Sequence, residues 1–229
     1  MNRYTLIMCL LSVFWVHAQG SKQKAFELYE HKKYAEAKPY FEALLKESPN
    51  DAVLVEHLAD VYAMMHDYEG ALNLYKRLTK VKSEDPVFLY RYAGCMAMIA
   101  KKSNKFKALS LLKDIKINFE KSATLDPKYI DVRWALVLMN LEVPSIFGGS
   151  EVKAKQYAEE LLAISKVDGY LAKGDIEVNY KRYDNAEGFY KSAYKIGRSK
   201  VTFQKLYDLY LKQLNAPEKA KELKEDFSS

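Results

Sequence analysis

Four places in this chain of 229 residues combine side-chain types that could do chemistry. The first is its histidines, His17, His31, His57 and His66. Two metal ligands on one helical face need H-x-x-x-H spacing, and a zinc site built on thiolates needs Cys-x-x-Cys; neither pattern occurs. His66, beside Asp67, reads as an exposed turn residue, and His57 as one that packs or faces a groove. The second is Cys95, which has no histidine near it in sequence. With Tyr92, Met96 and Ile99 at helical spacing around it, it reads as a buried structural thiol rather than a nucleophile. The third is the pair Glu159 and Glu160. Neighbours on a helix point about 100° apart, so these carboxylates do not converge on one bond as a general acid and base must.

The fourth place is the stretch VPSIFGGSEVKA, residues 143–154. Unpaired N–H groups at a helix N-terminus attract anions, and a Gly-Gly-Ser turn feeding a Lys-bearing helix could cradle a phosphate. A phosphate loop, however, follows a strand and carries G-x-x-x-x-G-K-[ST], and the spacing here is different. The stretch reads instead as a turn between helices. Pro144 ends the preceding helix, Gly148 and Gly149 supply permissive backbone angles, and Ser150 caps the helix that carries Ala154. No serine stands in a G-x-S-x-G setting either. No catalytic, cofactor-binding or metal-binding residue is assigned, and the expectation is a protein that is not an enzyme and needs no cofactor.

The N-terminus reads MNRYTLIMCLLSVFWVHAQG: a basic Arg3, an apolar run from Leu6 to Val16, then Val16-His17-Ala18. That order of charge, apolar core and small-residue ending is the pattern of a cleaved secretory signal peptide over residues 1–18, which predicts an exported, periplasmic or secreted protein. The run is too short for a spanning helix, which takes about 20 apolar residues. No later segment is long enough, so no membrane span is expected after cleavage. Removing residues 1–18 takes away Arg3, Cys9 and no acidic residue, so the formal charge falls from +6 to +5 and Cys95 is the remaining thiol. A fold without an internal disulfide must be held by its core. Lysine carries the positive balance, with only six arginines in the chain. Sequence-specific nucleic-acid readers lean on arginine, so no nucleic-acid partner is expected. The densest cluster is Lys101, Lys102, Lys105, Lys107, Lys113 and Lys116, relieved only by Asp114. It reads as a solvated face, with an anionic partner or membrane surface as the alternative.

These residues sit on a repeating frame. KKYAEAKPYFEALLKESPND from Lys32, HDYEGALNLYKRL from His66 and KRYDNAEGFYKSAY from Lys181 share Tyr, two residues, Ala, three residues, then an aromatic. The intervals Ala37 to Ala71, Ala59 to Ala93 and Ala186 to Ala220 are all 34. A fixed period of this length marks stacked units that bury a core only against their neighbours. Two intervals break it. The third unit, near 86–127, is longer, with Ile115 in the alanine slot, and the fourth carries extra residues in an irregular Gly-Gly loop at 144–150. From Pro217 the apolar residues Ala220, Leu223 and Phe227 stand among charges, as expected of a capping helix.

The pattern resembles the tetratricopeptide repeat family. The resemblance places the small residue of each first helix at Ala25, Ala59, Ala93 and Gly174, and the second-helix alanine at Ala37, Ala71, Ala154, Ala186 and Ala220. It implies an all-α fold, an α-solenoid of antiparallel helix pairs in a right-handed superhelix, with about six repeats and twelve helices filling a single domain over residues 19–229. In this family the first helix of each pair lines the concave surface. Transferred to this register, the expected groove residues are Phe26, Tyr29, Glu56, Asp60, Tyr90, Trp134, Leu138 and Asp175, the aromatics serving as anchors. The carboxylate clamp of chaperone-tail binders is not matched, since its positions hold Lys22, Phe26, His57, Val87 and Arg91. The function expected is a protein- or peptide-binding scaffold or adaptor in the cell envelope. The alternative is a periplasmic solute-binding or transporter-associated component with an enclosed pocket, suggested by the short P-x-x-x-G-G-S loop.

Overall fold

The computed structural model describes residues 20–228. The expected signal segment, residues 1–18, lies outside them. The described residues form twelve α-helices and no strand. Up to Leu125 runs one compact unit and from Asp126 a second. The first contains α1 (20–30), α2 (Tyr34–Glu47), α3 (Ala52–Met64), α4 (Tyr68–Val81), α5 (Pro86–Lys102) and α6 (Lys105–Leu125). The second contains α7 (Ile130–Glu142), a short 3-10 turn (Ser145–Phe147), α8 (Glu151–Ile164), α9 (Lys166–Asn179), α10 (Tyr183–Gly197), α11 (Lys200–Lys212) and α12 (Pro217–Ser228). Within each unit consecutive helices pack against one another as pairs, which is the all-α architecture of stacked helix pairs.

Helix starts follow from side-chain oxygens that take up otherwise unpaired N–H groups. Asp51 accepts from Val53 and Leu54, Asp67 from Gly70, and Asp85 from Val87 and Phe88, with Pro86 preset for the first turn. Ser199 and Thr202 form a reciprocal capping box on α11. The turns inside the first, second and fifth pairs share one device. Lys32, His66 and Lys181 adopt left-handed backbone with φ of 58°, 62° and 59°. The next N–H reaches back five residues, from Lys33 to Leu28, Asp67 to Tyr62 and Arg182 to Glu177, which closes the helix end. A glycine would adopt this conformation without strain; long polar residues stand there instead, one residue before the cap position and two before a tyrosine.

The core is built on the small residues of the repeat. Ala25, Ala59 and Ala93 in the first helices are fully buried, as are Ala37, Ala71, Ala154 and Ala186 in the second helices. The following aromatics Phe41, Tyr75 and Tyr190 are also buried, and in the longer third pair Ile115 and Phe119 take the two roles. Gly174 stands in an alanine slot because a Cβ there would lie 2.2 Å from the ring of Tyr190. Cys95 is buried in the core of the first unit, and burial, with Asp60 nearby, pushes its thiol up to about 12. An inert structural thiol is what that environment makes.

In the loop at 144–150 the two glycines differ. Gly148 has φ of 100°, a left-handed conformation that favours glycine, whereas Gly149 does not have positive φ. Gly149 is required by contact, since a Cβ would fall 1.7 Å from the Val143 carbonyl oxygen. The reading of two permissive angles is corrected accordingly. The steric contrast between glycines gives a test: Gly174→Ala overpacks against Tyr190 and costs about 1–3 kcal/mol. Gly188→Ala, which meets nothing within 4 Å in α10, gains up to about 1 kcal/mol from helix propensity. Urea unfolding midpoints moving in opposite directions for the two variants is the expected result.

Candidate functional site

In the first unit, three first helices are joined by one carboxylate. Asp60 of α3 is only 7% exposed. Tyr29 of α1 donates its hydroxyl to Asp60 at 3.0 Å, Tyr75 of α4 donates to the other carboxylate oxygen, and Nη1 of Arg91 in α5 approaches at 3.1 Å. The same Arg91 nitrogen donates to Glu56 at 3.0 Å. Removing a carboxylate from water costs several kcal/mol, and the hydrogen bonds and ion pair here offset that cost. Burial first, then Asp60, pushes the Tyr29 and Tyr75 hydroxyls far above their ordinary range, so both stay protonated and donating. Arg91 and Glu56 remain about one-third exposed. Phe26 is half-buried, its ring 5.3 Å from Phe41 and 4.6 Å from His57. His57 therefore packs among aromatic rings. Tyr90 lies apart from this cluster, against Phe119 of α6 at 5.9 Å.

The second unit repeats the device. Asp175 of α9 accepts from Tyr190 of α10 and, at 2.7 Å on both oxygens, from Lys205 of α11. Trp134 of α7 is half-buried and donates its indole N–H to Asp168 at 2.8 Å, while Leu138, one helical turn on, is 40% exposed. Of the residues expected to line a groove, Phe26, Tyr29, Glu56 and Asp60 thus meet in one network, and Trp134, Leu138 and Asp175 lie on the first helices of the second unit. Asp60, Asp175 and Trp134 are committed to holding neighbouring helices, and Leu138 and the outer edges of Glu56 and Arg91 face water. Sequence reasoning missed the partners Arg91, Lys205 and Asp168. A signal was present: a tyrosine follows each aspartate by 15 residues, and a base follows by 31 or 30.

The candidate chemistry resolves into structure. Glu159 pairs with Lys173 at 2.7 Å and Glu160 with Arg133 at 3.3 Å, so the adjacent carboxylates diverge. At the Gly-Gly loop, Gly149 N–H bonds to Pro144, Ser150 N–H to Asn140, and the Ser150 hydroxyl takes the Lys153 N–H. These are the groups an anion would have needed, and Glu151 places a negative charge beside them. Among the described residues no group of three or more His, Cys, Asp or Glu side chains is placed to hold a metal ion, and no helix is long and apolar enough to cross a membrane. A second ionic cluster centres on Arg182, which bridges Glu177 of α9 and, at 2.6 Å, Glu151 of α8. The Arg182 hydrogen bonds, with Asn185 assisting, hold the Glu177 carboxyl below its ordinary value. Beside it a cleft of about 100 Å³ is lined by Lys155, Glu159, Lys173, Ile176, Glu177 and Phe189.

Paired helices in register, buried small residues at a 34-residue period and surfaces of fixed polar and aromatic side chains define a helical-repeat protein. Residues 28–98 match the family model of the tetratricopeptide repeat. The fold is similar to that of a thermophilic tetratricopeptide-repeat protein of Thermus thermophilus, with TM-score 0.64, 18% identity, and coverage of 87% of this chain and 98% of that one. It is also similar to PilW, a type IV pilus biogenesis factor, with TM-score 0.67, 14% identity and 91% coverage of each chain. Pseudomonas aeruginosa pilF matches with TM-score 0.61 and 17% identity over 90% of this chain and 88% of that one. At these identities the likeness is one of fold. No curated protein matches the sequence.

Two measurements check the networks. Asp60→Ala leaves two tyrosine hydroxyls without their acceptor and Arg91 with Glu56 alone, and costs about 1–3 kcal/mol in urea unfolding, the usual range for a buried donor left unpaired. Glu177 has a lower value folded than unfolded, so its contribution is complete above the ordinary 4.5 and is lost as pH falls through that value toward the folded one. Unfolding midpoints measured across that acid range fall more steeply in the parent than in Arg182→Gln.

Proposed function

We propose that this chain is a non-enzymatic scaffold of the cell envelope that holds a protein or peptide partner on the first helices of its repeats. The observation that carries the reading is the way those helices present their side chains. Arg91 and Glu56 are about one-third exposed yet fixed by ion pairing, and Tyr29 is tied to Asp60. Side chains held in this way lose little rotamer entropy on contact, which is how a preformed surface gains affinity. Half-buried Phe26 supplies apolar area on the first helices of the first unit, and half-buried Trp134 and exposed Leu138 supply it on those of the second. The match of residues 28–98 to the tetratricopeptide repeat supports a protein partner, although one fold hosts many functions and the site must decide.

The envelope location is supported by the N-terminal order of Arg3, the apolar run Leu6 to Val16 and Ala18. The fold shared with PilW, a type IV pilus biogenesis factor, is compatible with an adaptor in such an assembly. A photo-crosslinking amino acid placed at Glu56 or Leu138 in cells tests the surface, with Lys76 on the second-helix side as control. Partner bands at 56 and 138 that are absent at 76 are the expected outcome. Equal labelling at 76, or none at 56 and 138, overturns the surface assignment, and recovery of chains with Met1 intact overturns export with cleavage.

A further inference from the structure

The longer third helix pair has a built end that its own core does not use. Helices α2, α3 and α4 have 14, 13 and 14 residues, whereas α5 has 17 and α6 has 21. All the additional length falls at one end. The last buried residue of α5 is Ile99 and the first of α6 is Ile115, so residues 100–114 contain no buried side chain. Two helix ends joined at Ser103-Asn104 therefore extend past the core, with the Asn104 side chain capping α6 at the Lys107 N–H, 3.0 Å away.

Three properties of this end point the same way. Phe106 is 87% exposed, the most exposed large apolar side chain among the described residues, and Leu109, one turn on and on the same side, is 36% exposed. Lys101, Lys102, Lys105 and Lys107 flank them in sequence and Lys113 and Lys116 follow, with Asp114 the single acid between 101 and 116; Lys102 lies over the Tyr68 ring at 4.9 Å and Lys116 faces Glu120 at 3.9 Å. Lys105, Lys107 and Lys113 make no ion pair among the described residues. The lysines at the start of α6 also oppose its dipole, whose positive end lies at the N-terminus, and no acid stands in that first turn to compensate. An isolated solvated turn would be more stable with Glu at 105 and a polar residue at 106. A sequence that breaks both local preferences at one exposed tip has a use for them.

We propose that the α5–α6 tip docks on an anionic phospholipid surface, with Phe106 and Leu109 entering the boundary between headgroups and acyl chains and the flanking ammonium groups meeting lipid phosphates. Lysines with long apolar stems around a projecting aromatic suit that boundary, where one end of each side chain is apolar and the other wet. An acidic soluble partner would use the charge but would leave no reason for an exposed phenylalanine between two lysines. The inference is independent of the partner surface on the first helices, since it concerns the far ends of α5 and α6.

The test reads the tip itself. Full-length chain carrying Phe106→Trp is mixed with vesicles of phosphatidylglycerol and phosphatidylcholine, or of phosphatidylcholine alone, and its emission is compared with that of the parent, which contains Trp15 and Trp134. The introduced indole shifts to the blue on anionic vesicles only, and the shift is reversed by high salt. The variant Lys102→Glu, Lys105→Glu, Lys107→Glu partitions onto those vesicles at least about a hundredfold less, at roughly fivefold for each lysine lost. These are exposed positions, and an unchanged circular dichroism spectrum confirms that the variants fold. Vesicle binding without a blue shift, as when residues 6–16 alone insert, overturns the proposal. So does binding undiminished in the triple variant, or a shift produced by polyglutamate and not by vesicles.

Discussion

Two helices can pack at close range only where one of them presents almost no side chain, and in this protein that requirement recurs with the period of the repeat. Ala25, Ala59, Ala93 and Gly174 vacate space in the first helices, and Ala37, Ala71, Ala154 and Ala186 do so in the second. What fills the space is aromatic, and at Gly174 the fit is close enough to forbid even a methyl group. The rest of each unit is arranged around these contacts. They set which face of each helix is buried, and so which side chains are left half in water on the first helices.

Close packing alone would leave the first helices without lateral ties. The buried carboxylates Asp60 and Asp175 supply them, each holding a tyrosine from the second helix of its own pair and a base from the first helix of the next. A buried carboxylate is costly unless nearly all its oxygen lone pairs are used, so the device also enforces registry: a helix shifted by one turn would strand a charge. This gives the surface of the first helices its mixed character. Its aromatic and ionic groups are part of the structure first, and reach solvent by their outer edges.

The frame was legible because the rule behind it is local and repeated. The spacing of Ala59, Ala71 and Ala93 located helices α3, α4 and α5, and the displaced slots at Ile115 and Ala154 located the longer third pair and the irregular loop. Turn chemistry was partly legible: His66 and Ser150 stand where expected, but Gly149 is demanded by a carbonyl oxygen rather than by its dihedral angles. Partnerships across pairs were the hardest to see. Asp60 and Asp175 look like surface carboxylates in a sequence where acids and lysines are everywhere. Only the packed helices reveal that Tyr75, Arg91, Tyr190 and Lys205 converge on them. Trp134 is similar, since its partner Asp168 belongs to a helix start one repeat away.

The short reach of these ties has a bearing on how the chain acquires its shape. Trp134 to Asp168 spans 34 residues, Arg91 to Glu56 spans 35, and Asp60 to Tyr75 only 15. Among the described residues no strand must wait for a distant partner, so little loop-closure entropy stands between the unfolded chain and these contacts. A polypeptide with this wiring can consolidate in the order in which it emerges, each helix pair finding its ties as soon as the next pair is free. That order of assembly shortens the time for which apolar helix faces stand uncovered.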